Sequence, residues 1–463
     1  MENVEAHTMR VLGTVPATTM KSSSVHFFAD DVLYGRLRPY LNKVVRPDYE
    51  GLCSAEFIVF PSTNEIDNGF LQYRLNAADF VSFATHLNEG DRPRVDFSQI
   101  GGFEVWLPPL AEQCRIVPKL EELLSDLDAG VAALERVTVN LKRYRASVLK
   151  AAVEGKLTEE WRRENPPKET AKELLERILK ERRRRWEEQQ LAAYEAKGKK
   201  LPKGWQGKYK EPVAPQTESL PELLHGRCWA TVEQLTRADR TIAYGVLQPG
   251  PDIEGGIPLV RVCDVVDGRV AIQQLKRIAP DISSRYQRTL LEGGEVLLTI
   301  VGTIGRSAVA PPSLRGANTA RAVAVLPTSS LVAPQYVETA LRESGMRARL
   351  TEAAHEVARK TLNLEDVRAA CLPLCPIEEQ DQIVAAVDER LSFADAAESL
   401  IEANLRRSGR LRQSILKRAF EGKLVPQDPK DEPAEKLLDR IKATMPVKHP
   451  SSKRPGRRKK RTV

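Results

Sequence analysis

The chain has 463 residues, 41% of them hydrophobic and 29% charged, a balance that suits two to four globular domains and excludes a chain disordered throughout. No run approaches eighteen consecutive apolar residues, which excludes a transmembrane helix, and the opening MENVEAHTMRVLGTVPA lacks the apolar core of a signal peptide. The net charge of +8 sits in the tail: the last thirteen residues, SSKRPGRRKKRTV, hold seven basic groups, and without them 64 basic face 63 acidic groups, so the charge alone argues for no nucleic-acid partner.

In chain order, residues 1–106 read as a first mixed α/β module. Glu56–Phe60 reads as a strand and 70–86 as a short helix. The stretch ADDVLYGRLRPYLNKVV (29–45) has an acid, an apolar run and then a basic-polar turn holding Arg36, Arg38, Tyr40, Asn42 and Lys43; Arg92 and Arg94 form another such turn. Residues 107–157 read as a long helix. Positions 116, 120, 123, 127, 130, 134, 137, 141, 144 and 148 follow 4-3 spacing, and nine of the ten are apolar, the pattern of a coiled-coil seam. Such a helix of about 45 residues would be roughly 65–70 Å long.

Residues 158–224 read as a charged helix (about 168–197) and a Pro/Gly/Lys linker. The run Arg182–Arg185 suits a solvated helix face, with phosphate contact as the alternative. Residues 225–373 form a second mixed module, with strands at Ile257–Val262, Val296–Val301 and Ala322–Leu326 and a helix at 335–354. Residues 374–424 read as a second long helix with a weaker seam: Val387, Leu391, Ala394, Ile401 and Leu405 keep it, while Glu398 and Ser408 interrupt it. Residues 425–463 read as a short helix and a basic tail, disordered after about 446.

A duplication organises the whole. Sliding 107–157 by 267 residues onto 374–424 gives 22 identities in 51 positions without a gap, including Pro109 on Pro376, Glu112-Gln113 on Glu379-Gln380 and Glu154–Leu157 on Glu421–Leu424. A period this long marks a duplicated module rather than a solenoid repeat. Upstream, 29–45 matches 293–309 in pattern, so the second module's counterparts to the first basic turns are Arg306, Asn318, Arg321, Arg359 and Lys360. The expected fold class is α+β: two mixed α/β modules separated by two long helices that pair antiparallel as a coiled coil, with pseudo-twofold symmetry.

Catalytic motifs do not emerge. Asn165-Pro166-Pro167-Lys168 approaches an amino-methyltransferase motif, but Lys stands in the place of the aromatic that would stack on a flipped base. No phosphate-binding GxxxxGK[ST] loop and no HExxH is present, and the six histidines are scattered. The cysteines at 53, 114, 228, 263, 371 and 375 form no CxxC pair and predict reduced, buried thiols of a cytoplasmic protein.

Two sets of residues carry a resemblance. L-P-P-L-A-E-Q (107–113) and P-I-E-E-Q (376–380) each lead into a long helix, and S-V-L-K-A-A-V-E-G-K-L (147–157) and S-I-L-K-R-A-F-E-G-K-L (414–424) end them. With D-V-L-Y-G-R-L-R-P-Y-L-N-K-V (31–44), this duplicated set resembles the specificity subunits of type I restriction–modification systems over nearly the whole chain. The resemblance implies that each module is a target-recognition domain reading one half of a split double-stranded DNA sequence. It also implies that the paired helices fix the spacer and dock two modification subunits. Those partners would carry S-adenosylmethionine and methylate adenine; restriction subunits using ATP and Mg would cleave unmodified DNA. The chain itself would be non-catalytic, with no membrane partner. Arginine and asparagine suit guanine and adenine edges, and lysine suits phosphate; the alternative for each named residue is a structural ion pair or plain exposure.

One departure stands out: Met1–Val4 fall where Val262–Val265 fall, so the first recognition domain is expected to lack roughly 30 residues that the second has, either because the true start lies upstream or because this domain is trimmed. The rival readings are a stand-alone DNA-binding coiled-coil scaffold without catalytic partners, and an enzyme with a degenerate motif that would depend on Asn165.

Overall fold

The structure is a computed structural model that describes residues 2–19, 23–355 and 360–444; the expected disordered tail lies outside them. The chain divides into two compact units, one joining Met1–Arg136 with Leu400–Val463 and the other comprising Val137–Ser399. The two long helices, Leu110–Val153 and Ile377–Phe420, therefore each contribute one half to each unit.

In the first unit, strand Val32–Gly35 lies between Val44–Val45 and Phe57–Phe60, antiparallel to both. The apolar run of this strand is explained by burial of both faces. Val32 and Tyr34 join Val44, Leu75, Phe80 and Ala84 on one side, while Leu33 joins Phe27, Val45, Cys53 and Phe57 on the other. The single helix expected over 70–86 is two, Asn68–Leu75 and Ala78–His86. The break falls at Ala77, whose extended backbone (ψ 145°) cannot continue a helix. The first of these helices rests on the long ones: Phe70, Tyr73 and Ala77 pack with Ile116, Val117, Leu120 and Leu124 and with Leu416, Ala419 and Phe420. Asp128 pairs with Arg412 between the two half-helices, and Arg115, nearer the start of the first, pairs at 2.6 Å with Asp431 beyond the end of the second, the order of half-helices that run antiparallel here.

The second unit holds a four-stranded antiparallel sheet in the order Ser307–Val309, Val296–Thr299, Val323–Leu326, Ala243–Tyr244. A three-stranded sheet of Lys276–Ile278, Ile257–Val260 and Asn318–Thr319 lies beside it in sequence, and Cys371–Leu374 pairs with Cys228–Thr231. The expected helix at 335–354 is again two, Pro334–Arg342 and Ser344–Glu352. Glu343 separates them by accepting hydrogen bonds from the Gly345 and Met346 N–H groups, an N-cap. Val148, Leu149 and Ala152 pack with Ile383, Val387 and Tyr336, and Arg145 bridges Asp395 (2.6 Å) and Glu398 (2.7 Å), so here too the half-helices are antiparallel.

The charged helix, Ala171–Glu195, is amphipathic rather than a solvated rod. Its Ala171, Leu174 and Ile178 are fully buried in the core of the second unit. Arg183 pairs with Glu187, Arg184 with Glu181 and Glu188, and Arg185 with Glu181, each one turn away, and Arg182 is buried and donates to the Thr236 carbonyl. The linker is anchored as well, since Trp205 stacks on Trp186 with ring centroids 5.8 Å apart and Tyr209 packs against the same indole.

Cys53 and Cys375 are buried, but Cys114 and Cys263 are exposed, against the expectation of buried thiols. Among the described residues no cluster of His, Cys, Asp and Glu could hold a metal, and no helix is long and apolar enough to cross a membrane. Asn165 caps the short helix Glu159–Glu164, and its amide donates to the Trp161 carbonyl.

Candidate nucleic-acid interface

The duplication survives as a set of hydrogen bonds. Beyond strand Val32–Gly35, the Arg36 N–H donates to the Glu56 carbonyl (2.9 Å), Val95 N–H to the Arg36 carbonyl (3.1 Å) and Arg38 N–H to the Pro93 carbonyl (2.8 Å); Leu37 bridges Arg94. Beyond Val296–Thr299, Ile300 N–H donates to Ala322 (2.9 Å), Leu362 N–H to Ile300 (2.8 Å) and Gly302 N–H to Lys360 (3.4 Å); Val301 bridges Thr361. The same four contacts are thus made in each unit. The segments 36–38 and 92–94, separate turns in the sequence, are neighbours in one rim, as 300–302 and 360–362 are in the other.

In the first rim Arg92 is exposed and has no partner among the described residues, and Tyr40 is 41% exposed. Arg36, Arg38 and Lys43 are half-buried. Arg38 and Asn42 take positive φ (54° and 40°) on either side of the turn Pro39–Leu41. That conformation is uncommon for residues other than glycine, although asparagine tolerates it, and it aims the turn sharply back toward Val44. Arg94 is exposed but pairs with Glu56. Asn42 is 1% exposed, and its amide donates to the Asn76 side-chain carbonyl, a tie within the unit rather than an approach to a base edge.

In the second rim Arg306 is half-buried and Arg321 exposed, neither with a side-chain partner among the described residues, and Lys360 is exposed. Arg306 leaves a tight loop in which its own N–H donates to Thr299 Oγ1 (3.0 Å). Asn318 is fully buried: its Nδ2 donates to Ser283 Oγ (3.1 Å), and its Oδ1 accepts from Thr289 Oγ1 (2.7 Å) and the Thr319 N–H (2.9 Å). Every capacity of that amide is spent internally, so Asn318, like Asn42, holds the fold. Arg359 lies outside the described residues.

Tyr244 was not legible. It is 46% exposed in the edge strand beside Arg321, whose N–H donates to Val246. It is followed by Gly245, where a Cβ would fall 1.8 Å from the Thr319 carbonyl oxygen, so only glycine allows this strand to press in and present the phenol. Ala-Tyr-Gly carries no sequence signal of that role. Each rim thus combines guanidinium groups, a lysine and an exposed phenol. These are groups that hold phosphate, form two hydrogen bonds to guanine or stack on bases.

No family model matches the chain. It is 35% identical over 346 residues to the specificity subunit of the type I restriction enzyme EcoBI from Escherichia coli; the match covers 73% of this chain and 63% of that relative. It is 27% identical over 362 residues to the specificity subunit of the type I restriction enzyme EcoKI from Escherichia coli K12, with the same shares covered. The chain thus spans under two thirds of the length of these curated relatives. A solved structure bearing on complex assembly and conformational transition of the type I R-M system matches with a TM-score of 0.58 at 19% identity, covering 91% of this chain and 90% of that one, a likeness of fold.

Proposed function

We propose, taking as premise that this chain is a homologue of type I restriction enzyme specificity subunits, that it is the DNA-recognition subunit of such a complex. It reads a bipartite double-stranded target through two rims. Arg36, Arg38, Tyr40, Lys43, Arg92 and Arg94 serve in the first, and Arg306, Arg321, Lys360 and Tyr244 in the second. Arg92 and Arg321, unpaired among the described residues, are the strongest candidates for nucleic-acid contact, because an arginine already held by a carboxylate has less to offer a phosphate or guanine. The observation that carries the reading is the repeated rim: two modules with the same backbone contacts and different side chains suit two half-sites of different sequence.

The chain has no catalytic role in this reading. Adenine methylation falls to modification subunits carrying S-adenosylmethionine, and cleavage to restriction subunits using ATP and Mg. The antiparallel half-helices support a coiled coil along both long helices and a twofold duplication of docking faces. Phe393 (70% exposed) and Leu400 (65%) on the second helix, and Val137 (44%) on the first, supply apolar surface for such partners.

The test is a methylation map of DNA from cells expressing the chain with its neighbouring modification subunit, against a deletion of the chain. A split, deletion-sensitive motif methylated in both halves is the expected result. Methylation unaffected by the deletion would overturn the assignment and favour a stand-alone scaffold.

A further inference from the structure

A block of unneutralised charge lies in the second unit, outside the rim. Residues 196–210 hold six lysines, Lys197, Lys199, Lys200, Lys203, Lys208 and Lys210, with no arginine and no acid among them. All six are exposed, and none has a side-chain partner among the described residues. The neighbouring run Arg183–Arg185 differs, because each of its guanidinium groups already pairs with a glutamate of its own helix.

The lysine segment is a built surface. Where helix Ala171–Glu195 ends, the Lys197 and Lys199 N–H groups donate to the Tyr194 carbonyl (3.2 and 3.0 Å), and the turn Trp205–Lys208 follows. This brings the chain back along the helix: Trp205 stacks on Trp186, Tyr209 packs on the same indole with ring centroids 5.4 Å apart, and the Arg183 guanidinium stands 5.8 Å from the Tyr209 ring centre. The helix is fixed to the module in turn. Besides its buried Ala171, Leu174 and Ile178, Arg185 Nη2 donates to Ser330 Oγ (3.2 Å) and Gln189 Nε2 to the Asp239 carbonyl (2.8 Å). Beyond the lysines, the Val213 carbonyl accepts from Thr231 Oγ1 (2.8 Å). The six charges are thus held on a frame continuous with the core of the second unit.

The chemistry of the segment selects its partner. Lysine is a point charge that holds phosphate, and the lack of arginine removes the two-bonded grip on guanine, so the segment reads no sequence. Single strands are held by stacking bases on free aromatic rings, but Trp186, Trp205 and Tyr209 are occupied with one another. A lipid surface needs exposed aromatic or branched aliphatic side chains, and 196–210 has none. Duplex DNA, a stiff polyanion with closely spaced phosphates, meets what remains. We propose that 196–210 is a sequence-independent contact of this chain with duplex DNA, in which the lysines hold phosphates while the rims read bases. The inference deepens the DNA-recognition reading and rests on it for the choice of polymer.

The experiment titrates the full chain with a fluorescent duplex of random sequence, read by anisotropy at several salt concentrations. Lys199→Gln, Lys200→Gln, Lys203→Gln and Lys208→Gln together should reduce the slope of log K against log salt by about 3–4, at about 0.9 per phosphate contact, and weaken binding at physiological salt by about tenfold or more. All four side chains are exposed, so the fold is not at stake. Arg184→Gln, which removes a charge already shared with Glu181 and Glu188, should leave the slope unchanged. An unchanged slope in the four-lysine variant, an equal loss per charge from Arg184→Gln, or lysine-dependent binding that favours single-stranded RNA or phosphatidylserine vesicles over the duplex would each overturn the proposal. A duplex bearing the motif from the methylation map, set against a scrambled one, separates the two readings. Motif preference without a lysine effect overturns this inference alone, whereas a lysine effect without motif preference supports the lysine contact and overturns the reading of bases by the rims.

Discussion

Glu379→Ala should be among the most destabilising substitutions in the second unit, and Glu112→Ala, the same change at the matching position of the repeat, one of the mildest. The Glu379 and Arg227 side chains are both 2% exposed and 2.6 Å apart. Removing the carboxylate leaves a guanidinium buried without its counter-ion, a loss of about 3–5 kcal/mol. In a domain of this size each kcal/mol moves Tm by about 2–4 °C, so the expected fall is roughly 10 °C. Among the described residues Glu112 Oε1 has no hydrogen-bond partner, so its removal strands no buried cation there and should cost less than about 1 kcal/mol or stabilise the unit. Urea and thermal denaturation followed by circular dichroism report both, and adding Arg227→Met to Glu379→Ala should recover much of the loss through a coupling of at least about 1 kcal/mol. Equal effects of the two glutamate changes, or a cycle showing no coupling, would refute the reasoning. The pH dependence supplies a second readout. Burial raises the Glu379 carboxyl, but the Arg227 charge and the hydrogen bonds from Thr158, Arg162 and Arg227 outweigh it and hold it below the usual range. Its stabilisation is therefore present above the unfolded carboxylate pKa and is lost as pH falls through the lowered folded value; the variant should lack that component.

Glu338 works in the opposite sense. Burial pushes its carboxyl up to about 7, against the opposing pull of Arg342 and Ser307. Its stabilisation is full below the unfolded pKa and declines as pH rises to about 7; Glu338→Gln should flatten that slope, a difference of at most about 3 kcal/mol at pH 8 in a denaturation series. Asn318→Ala should lower stability by about 2–3 kcal/mol by stranding the buried Thr289 hydroxyl and the Thr319 N–H, with any change in target sequence secondary to unfolding. Arg92→Ala should weaken DNA binding of the assembled complex across all sequences and reduce the salt slope by about 1 if it holds phosphate. Arg321→Ala should instead relax discrimination at one position of the second half-site by about 1–3 kcal/mol if it reads guanine; both are read by titration against target variants at several salt concentrations.

The elements that rest on periodicity were legible. Both long helices and the strands at 57–60, 257–260, 296–299 and 323–326 lie within a few residues of where their apolar patterns put them. The seams were read less well. The second helix, with the weaker pattern, buries Val387, Ala394 and Ile401, whereas Val137 and Tyr144 of the better pattern are exposed. Glu398, read as an interruption, is an ion-pair partner of Arg145. Heptad counting sees one chain and cannot see a charge on the facing helix. The same blindness explains Ala171, Leu174 and Ile178, whose core role was hidden among charges serving the other face of one helix. In the rims the cations were legible as basic turns. Which were already neutralised, and which asparagines were spent inside the fold, depended on Glu56, Asn76, Ser283 and Thr289. These lie 29 to 38 positions away in the sequence, beyond the reach of any local pattern.

Arg227 has a practical consequence for anyone exchanging the sheet module of the second unit between homologous chains. A graft that began at the strand Cys228–Thr231 would leave behind the guanidinium that ties Val153 to Glu379, and would sever the module from the helix Ala171–Glu195 that completes its core. The transplantable cassette therefore opens upstream, in the turn after Gly155, and closes before Cys375. Chimeras cut at those two seams would inherit a module with its clasp attached, whereas cuts at the visible sheet boundary would yield a donor piece and a recipient frame that each miss half of the joint.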